Sequence, residues 1–289
     1  MTTDVVQVHE LTNPNMVESL TQQANALLEK DYPAYAVDEP PEKWIKNYTA
    51  PEGQTRQLLT VLTDEAGKVV AFTSAQIYPS ADPAKPSHQA LMGYTCADSE
   101  YVAKKHERLY KTCQEAMALA AKNIHRGEKM DPYHNACEAT AVDLLTQAKA
   151  AAIEHIKLQP AIGVIVQEHM PEHARKVKAA LAAGQKQLPI DYIMPQWSAN
   201  EPNTTGAKLF VVEVGANHKS LTSNLIQFMA DYINTDGCHA GTPAADPAYT
   251  NIVEQTNKLG PRFTTKPRVN GKDDPHNRNR IRGAMRRTP

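Results

Sequence analysis

The sequence is poor in the residues that mark the commonest small-molecule and metal sites. Only 4 of its 289 residues are cysteine and 13 are glycine. Cys96, Cys113, Cys137 and Cys238 lie far apart with no Cys-x-x-Cys pair, which excludes a zinc ribbon or a dithiol redox motif. A chain of this length builds a core without disulfides, so the expectation is reduced, buried thiols in a cytoplasmic protein. The few glycines form neither a Walker-type phosphate loop nor Gly-x-Gly-x-x-Gly, which excludes nucleotide binding through either loop. No apolar run approaches the roughly 20 residues needed to span a bilayer. Met1 to Glu10 carries neither a basic region nor an apolar segment, so no membrane partner is expected.

Charge of one sign is also missing, but only on average. The 31 basic and 32 acidic side chains sum to a net charge of -1. Residues 257–289 hold 10 Lys/Arg and 2 acidic residues, a net +8, which leaves 21 basic and 30 acidic residues, a net -9, in the first 256. The chain therefore reads as an acidic body with a basic tail. From Asn270 onward apolar residues are almost absent, so the tail cannot offset its ordering entropy and is expected to be disordered. Its arginines, over 262–287, suit an acidic partner through salt-sensitive contacts, or else form a solvated end. Its single aromatic residue, Phe263, offers no stacking platform for bases.

Within the body, Asn13-Pro14 is a helix start, followed at helical spacing by Met16, Leu20, Ala24, Leu27 and Leu28. A short helix is expected over 42–48. Two runs rich in β-formers, 57–63 and 68–77, flank Asp64-Glu65-Ala66-Gly67 and predict a hairpin. A strand over 89–96 precedes a long helix capped at Asp98-Ser99 and ending near Arg126-Gly127. A second long helix covers 136–157, and 161–166 reads as a buried strand. Pro171 opens a helix with Ala174, Val177 and Leu181 inward and Gly184 as its stop. Strands at 187–194 and 208–214 follow, then a helix through Leu221 to Tyr232 and a shorter one from Asp246-Pro247 to Gly260. The pattern is mixed α/β (α+β) without the regular alternation of a doubly wound fold.

This order, and the run 181–195 with its helix stop at Gly184 followed by Leu188-Pro189 and Tyr192, resembles the GCN5-related N-acetyltransferase (GNAT) fold. Ile162 to Glu168 followed by Pro171 and Arg175 is similar to that family's fifth strand leading into its fourth helix. The resemblance covers roughly residues 5–215. It implies a GNAT-like domain over 1–215, a C-terminal helical extension over 216–260 and the basic tail over 261–289. It also implies acyl transfer from acetyl-CoA, or another acyl-CoA, to a small or protein-borne amine, with no metal. One departure stands out. The family grips the pyrophosphate of coenzyme A with glycines whose backbone N–H groups face the phosphates. The corresponding stretch here, Tyr101 to Arg108, has no glycine. Either Val102, Ala103, Lys104, Lys105, His106 and Arg108 hold the cofactor, chiefly by charge, or the site is degenerate and the protein is a non-catalytic binding or assembly domain.

Acyl transfer needs a base for the amine, a donor for the thioester oxygen and an acid for the thiolate. In the resembled fold the fourth and fifth strands splay to admit the thioester. That points to Tyr94, Cys96 and Asp98 at one strand end and Glu168 and His169 at the other. Glu168 is the candidate base, the alternative being a solvated strand end. Tyr192 is the candidate acid, the alternative being a buried, satisfied hydroxyl. Cys96 has no local His signature and reads as a buried thiol. In His169-Met-Pro-Glu-His173, Pro171 is expected to start the helix between the two rings, so they need not share a face, which argues against zinc.

Overall fold

The computed structural model describes residues 3–51, 53–79, 88–107, 111, 132–195, 203–214, 221–235 and 242–259. The basic tail and most of the long helix expected after Asp98 lie outside the described residues.

Asn13 starts the first long helix, α1 (Pro14–Asp31), as its side chain accepts from the N–H groups of Asn15 and Met16. α1 buries Leu20, Ala24, Leu27 and Leu28. Two short helices follow, α2 (Pro33–Ala36) and α3 (Pro41–Tyr48), each opened by proline. The hairpin is β2 (Arg56–Thr63) and β3 (Val69–Tyr78). Its turn closes because Asp64 Oδ1 accepts from the N–H groups of Ala66 and Lys68, while Gly67 takes φ 77°. β4 (His88–Ala97) leads into α4 (Ser99–Lys105), and after α5 (Pro132–Lys157) come β5 (Ile162–His169) and α6 (Ala174–Ala182). β6 (Lys186–Gln187), β7 (Lys208–Glu213), α7 (Leu221–Thr235) and α8 (Pro247–Leu259) complete the order.

Among the strands, one has no counterpart in the sequence reading. β1 (Asp4–Gln7) adds an antiparallel edge strand on β2. The sheet then runs β1-β2-β3-β4-β5-β7-β6. Among the described strands only β4 and β5 pair in parallel, joined by the α4–α5 crossover. Alternation along β5 sends Ile165 to one face, against Ala152, Ile153 and Ile156 of α5. Val164 and Val166 go to the other, against Phe228 and Tyr232 of α7. α1 covers the hairpin half of that second face through Val61, Phe72 and Cys96. Ile252 of α8 joins the core of Val164, Val166 and Leu209, so the C-terminal helices pack on the sheet itself.

Two details correct the reading from sequence. The strand expected over 187–194 shrinks to Lys186–Gln187, with only a lone bridge at Ile193. Pro189 has no N–H to give a ladder, yet Leu188, Ile190 and Tyr192 still bury alternately in the core. Ala174 and Leu181, expected inward, are exposed, Leu181 to 52%. α6 begins at Ala174 rather than Pro171, and its contact face is the small pair Ala179 and Ala180. Gly184 does end it, at φ 87°, with Gly184 and Gln185 N–H groups returning to Leu181 and Ala180 carbonyls.

Candidate active site

The sheet splits between its two parallel strands. Pairing of β4 with β5 runs from His88↔Ile162 to Met92↔Gln167 and stops. β4 continues to Ala97, still paired with β3, and β5 continues to His169, still paired with β7. A β-bulge in β4 lies where the strands part. The β3–β4 register shifts between Thr73 and Ala75, and Ser74 Oγ substitutes for the ladder, accepting from Tyr94 N–H at 3.0 Å. Gly93 allows this, since a Cβ there would stand 3.1 Å from Ser74 Oγ.

Glu168 is the first β5 residue beyond the last β4 pair, so it sits at the mouth of the split. Its side chain is half-buried and its carboxyl accepts a hydrogen bond from Tyr192 Oη. Burial pushes that carboxyl up to about 7, and the Tyr192 bond offsets only part of the rise. Sequence reasoning placed Glu168 at a strand end and Tyr192 within the strand expected over 187–194. The structure brings them together, Tyr192 arriving from the segment after β6 with its ring 1% exposed.

The opposite face of the split holds a group that sequence reasoning missed. Lys149 of α5 is fully buried, donates to Gln167 Oε1 at 2.6 Å and lies 3.3 Å from His169 Nε2. Gln167 Nε2 in turn reaches across to Gly93 O at 3.4 Å and Thr95 Oγ1 at 3.5 Å. Burial holds the Lys149 ammonium well below its ordinary value and, with the nearby lysine charges, pushes His169 down to about 2. His169 is thus a neutral acceptor for the amine. A helical lysine among alanines reads as solvated, and only the facing Gln167 and His169 reveal its burial.

A cluster of aromatic rings gathers around the end of β4. Tyr94 lies 5.6 Å from Tyr32 and 6.3 Å from Tyr35, ring centre to ring centre. His173, the N-cap of α6, approaches Tyr32 edge-on at 6.0 Å, and Lys176 lies 3.7 Å over the Tyr32 ring. Cys96 is fully buried, and burial raises its thiol well above the ordinary value, which disfavours a nucleophilic thiolate.

Asp98 is engaged elsewhere. It caps α4, Oδ1 accepting from the N–H groups of Glu100 and Tyr101 at 2.9 and 3.4 Å, while Oδ2 receives Lys68 Nζ at 2.6 Å. Burial would raise its carboxyl, but Lys68 and the two amides outweigh it and hold it below the usual range. Of the proposed cofactor contacts, Val102 packs in the core, Ala103 is half-buried, and Lys104 and Lys105 are exposed. His106 bonds Thr140 at 2.6 Å, and Arg108 lies outside the described residues. A groove of about 560 Å³ lies away from the split, between the turn at 8–12, α1 and α3.

No protein-family model matches the sequence, and no curated protein matches it. Solved structures do align. A GNAT-family acetyltransferase from Streptococcus pneumoniae is 10% identical, covering 74% of this chain and 100% of that one, with a TM-score of 0.42. Arabidopsis thaliana NAA60 with a bisubstrate analogue is 9% identical over 75% of this chain and 100% of that one, with a TM-score of 0.40. The NatC complex bound to Gag peptide and CoA gives 12%, 74%, 100% and 0.38 in the same order. The chain's own strand order, its bulged fourth strand and its split parallel pair carry the assignment. The fold is GNAT-like.

Proposed function

We propose that the chain transfers an acyl group from an acyl-CoA to an amine, with Glu168 as the base. The observation that carries this reading is the half-buried Glu168 carboxyl at the mouth of the β4–β5 split, raised to about 7 and bonded by Tyr192. A base near neutrality is the useful one for an amine at physiological pH. The amine nitrogen attacks the thioester carbon and Glu168 accepts its proton. The C–S bond then breaks, and the thiolate leaves with a proton supplied by Tyr192. The unpaired edge of β4 beyond Met92 is where an extended pantetheine chain could run alongside the strand. The net -9 body favours a cationic amine as acceptor.

Thermal unfolding with and without acetyl-CoA tests the binding half. A ligand at a hundred times its Kd adds about 2.7 kcal/mol, and no shift at millimolar acetyl-CoA refutes the reading. If a shift is seen, Glu168→Gln should keep it and lose turnover.

A second reading, a non-catalytic domain of the same fold, is favoured by Asp98. Its carboxylate already takes the first free amides of α4, so an incoming pyrophosphate would meet a negative charge. In the catalytic reading the phosphates must instead rest on Lys104 and Lys105. In the non-catalytic one, residues 262–287 contact an acidic partner, and truncation after Gly260 should abolish its retention at low salt.

A further inference from the structure

Two histidines separated by half of the chain meet beside the groove. His9, in the turn after β1, places Nε2 2.9 Å from Nε2 of His155 in the last turn of α5. Glu10 Oε1 lies 3.7 Å from the same His155 nitrogen. One ligand atom from each of the three residues falls within 4.8 Å of the others, the one such grouping among the described residues. His155 is only 10% exposed and Glu10 58%, so the cluster has a protein side and a solvent side.

We propose that His9, Glu10 and His155 form a binding site for a late first-row divalent cation of the Zn²⁺ type. Two imidazoles and a carboxylate form a donor set that suits such an ion. At a Zn–N distance of about 2.0–2.1 Å, two nitrogens of a tetrahedral site stand roughly 3.3 Å apart, so the rings need separate by only a few tenths of an ångström. The support behind His9 is already in place. His9 Nδ1 lies 3.2 Å from Leu59 N and 3.3 Å from Leu59 O. Without metal, Nδ1 accepts from Leu59 N–H, and Nε2–H donates to His155. With metal, Nδ1–H donates to Leu59 O and Nε2 presents its lone pair. Both tautomers are satisfied by the same residue, and the second is the ring orientation that metal-ligating histidines adopt. His155 Nε2 is also 3.1 Å from Gln159 Nε2, a contact the cation displaces. The groove provides the entry path, since His9 forms part of its wall beside Leu11 and Tyr48. A metal-bound water can take the remaining position from the solvent side. The site is independent of acyl transfer, being built on the β1–α5 side of the fold.

The test is equilibrium dialysis of the full chain, stripped with chelator, against Zn²⁺, with bound metal counted. The expected result is one Zn²⁺ per chain at micromolar free metal, and Co²⁺ in its place should give the visible absorption of a four- or five-coordinate site. His9→Ala and His155→Ala should each abolish that stoichiometric uptake. Glu10→Gln alters an exposed side chain and spares the fold, and it should weaken binding about tenfold. Failure to take up metal overturns the proposal. So does uptake that is unchanged by Glu10→Gln and by His9→Ala, which would place the ion on other histidines of the chain.

Discussion

The last residues of β5 present opposite problems on the two faces of the sheet. On one face the Glu168 carboxyl is bonded by a neutral hydroxyl, that of Tyr192. On the other Lys149, an amine, has only an amide oxygen and an imidazole. Among the described residues no opposite charge is bonded to either, and burial drives both towards the uncharged form: Glu168 upward, Lys149 downward. Exposure separates them. Glu168 is half-buried, whereas Lys149 is fully buried. The same desolvation therefore raises a carboxyl on one side, where the proposed function needs a base, and lowers an amine on the other.

Glu168→Gln should have the largest effect. It keeps the shape and an acceptor for Tyr192 but cannot take a proton, so steady-state turnover with acetyl-CoA and a cationic amine should fall about 10²- to 10⁴-fold. An unchanged rate would make Glu168 as structural as Lys149. Lys149→Ala is the reciprocal test. Removing a wholly buried side chain and the partner of Gln167 and His169 should cost about 3 kcal/mol in denaturant unfolding. A loss within the error of the measurement would mean that the amine is not structural.

Next in size is the pH dependence of stability, where the two faces should act at opposite ends of the scale. Glu168 has a raised pKa, so the folded chain holds a proton that the unfolded chain releases. Its contribution is fully present below about 4.5 and is lost as pH rises towards 7, by at most about 3 kcal/mol. His169 is lowered, so the unfolded chain gains a proton that the folded one refuses. Its contribution is fully present above about 6.5 and declines as pH falls towards 2. Urea midpoints of Glu168→Gln and of the unaltered chain should converge at pH 5 and separate at pH 8 in favour of the variant. Parallel curves would show that the carboxyl is not desolvated.

What the sequence made legible was local. The hairpin showed because Asp64 and Gly67 carry a turn within four residues, and α1 because Asn13-Pro14 marks its start. β1 stayed hidden because it is four residues long, half exposed, and exists only by pairing with β2. Glu168 and Tyr192 could each be singled out, since a polar group at the end of an apolar run, or within one, is visible in one dimension. Lys149 could not. It lies one position from Ala148 on a helix whose apolar residues Leu145, Ala148 and Ala152 recur at helical spacing without it, and its polar partners are 18 and 20 residues away. His9 and His155, 146 residues apart, illustrate the same limit, because long-range juxtaposition is set by sheet order and not by spacing.

The smallest expected effect decides between the two functional readings. Asp98→Ala removes the cap of α4 and the partner of Lys68, and should cost about 1 kcal/mol in thermal or denaturant unfolding. It also frees the N–H groups of Glu100 and Tyr101, which with Lys68 would then face solvent at a helix start without a competing carboxylate. If acyl-CoA is seated near this helix end, acetyl-CoA should bind Asp98→Ala several-fold more tightly than the unaltered chain, as measured by isothermal titration. If the phosphates rest on Lys104 and Lys105 away from the cap, affinity should be unchanged in Asp98→Ala and should fall in Lys104→Ala/Lys105→Ala. Absence of binding in all of these chains would leave the split β4–β5 pair without a thioester to admit, and would establish the non-catalytic reading.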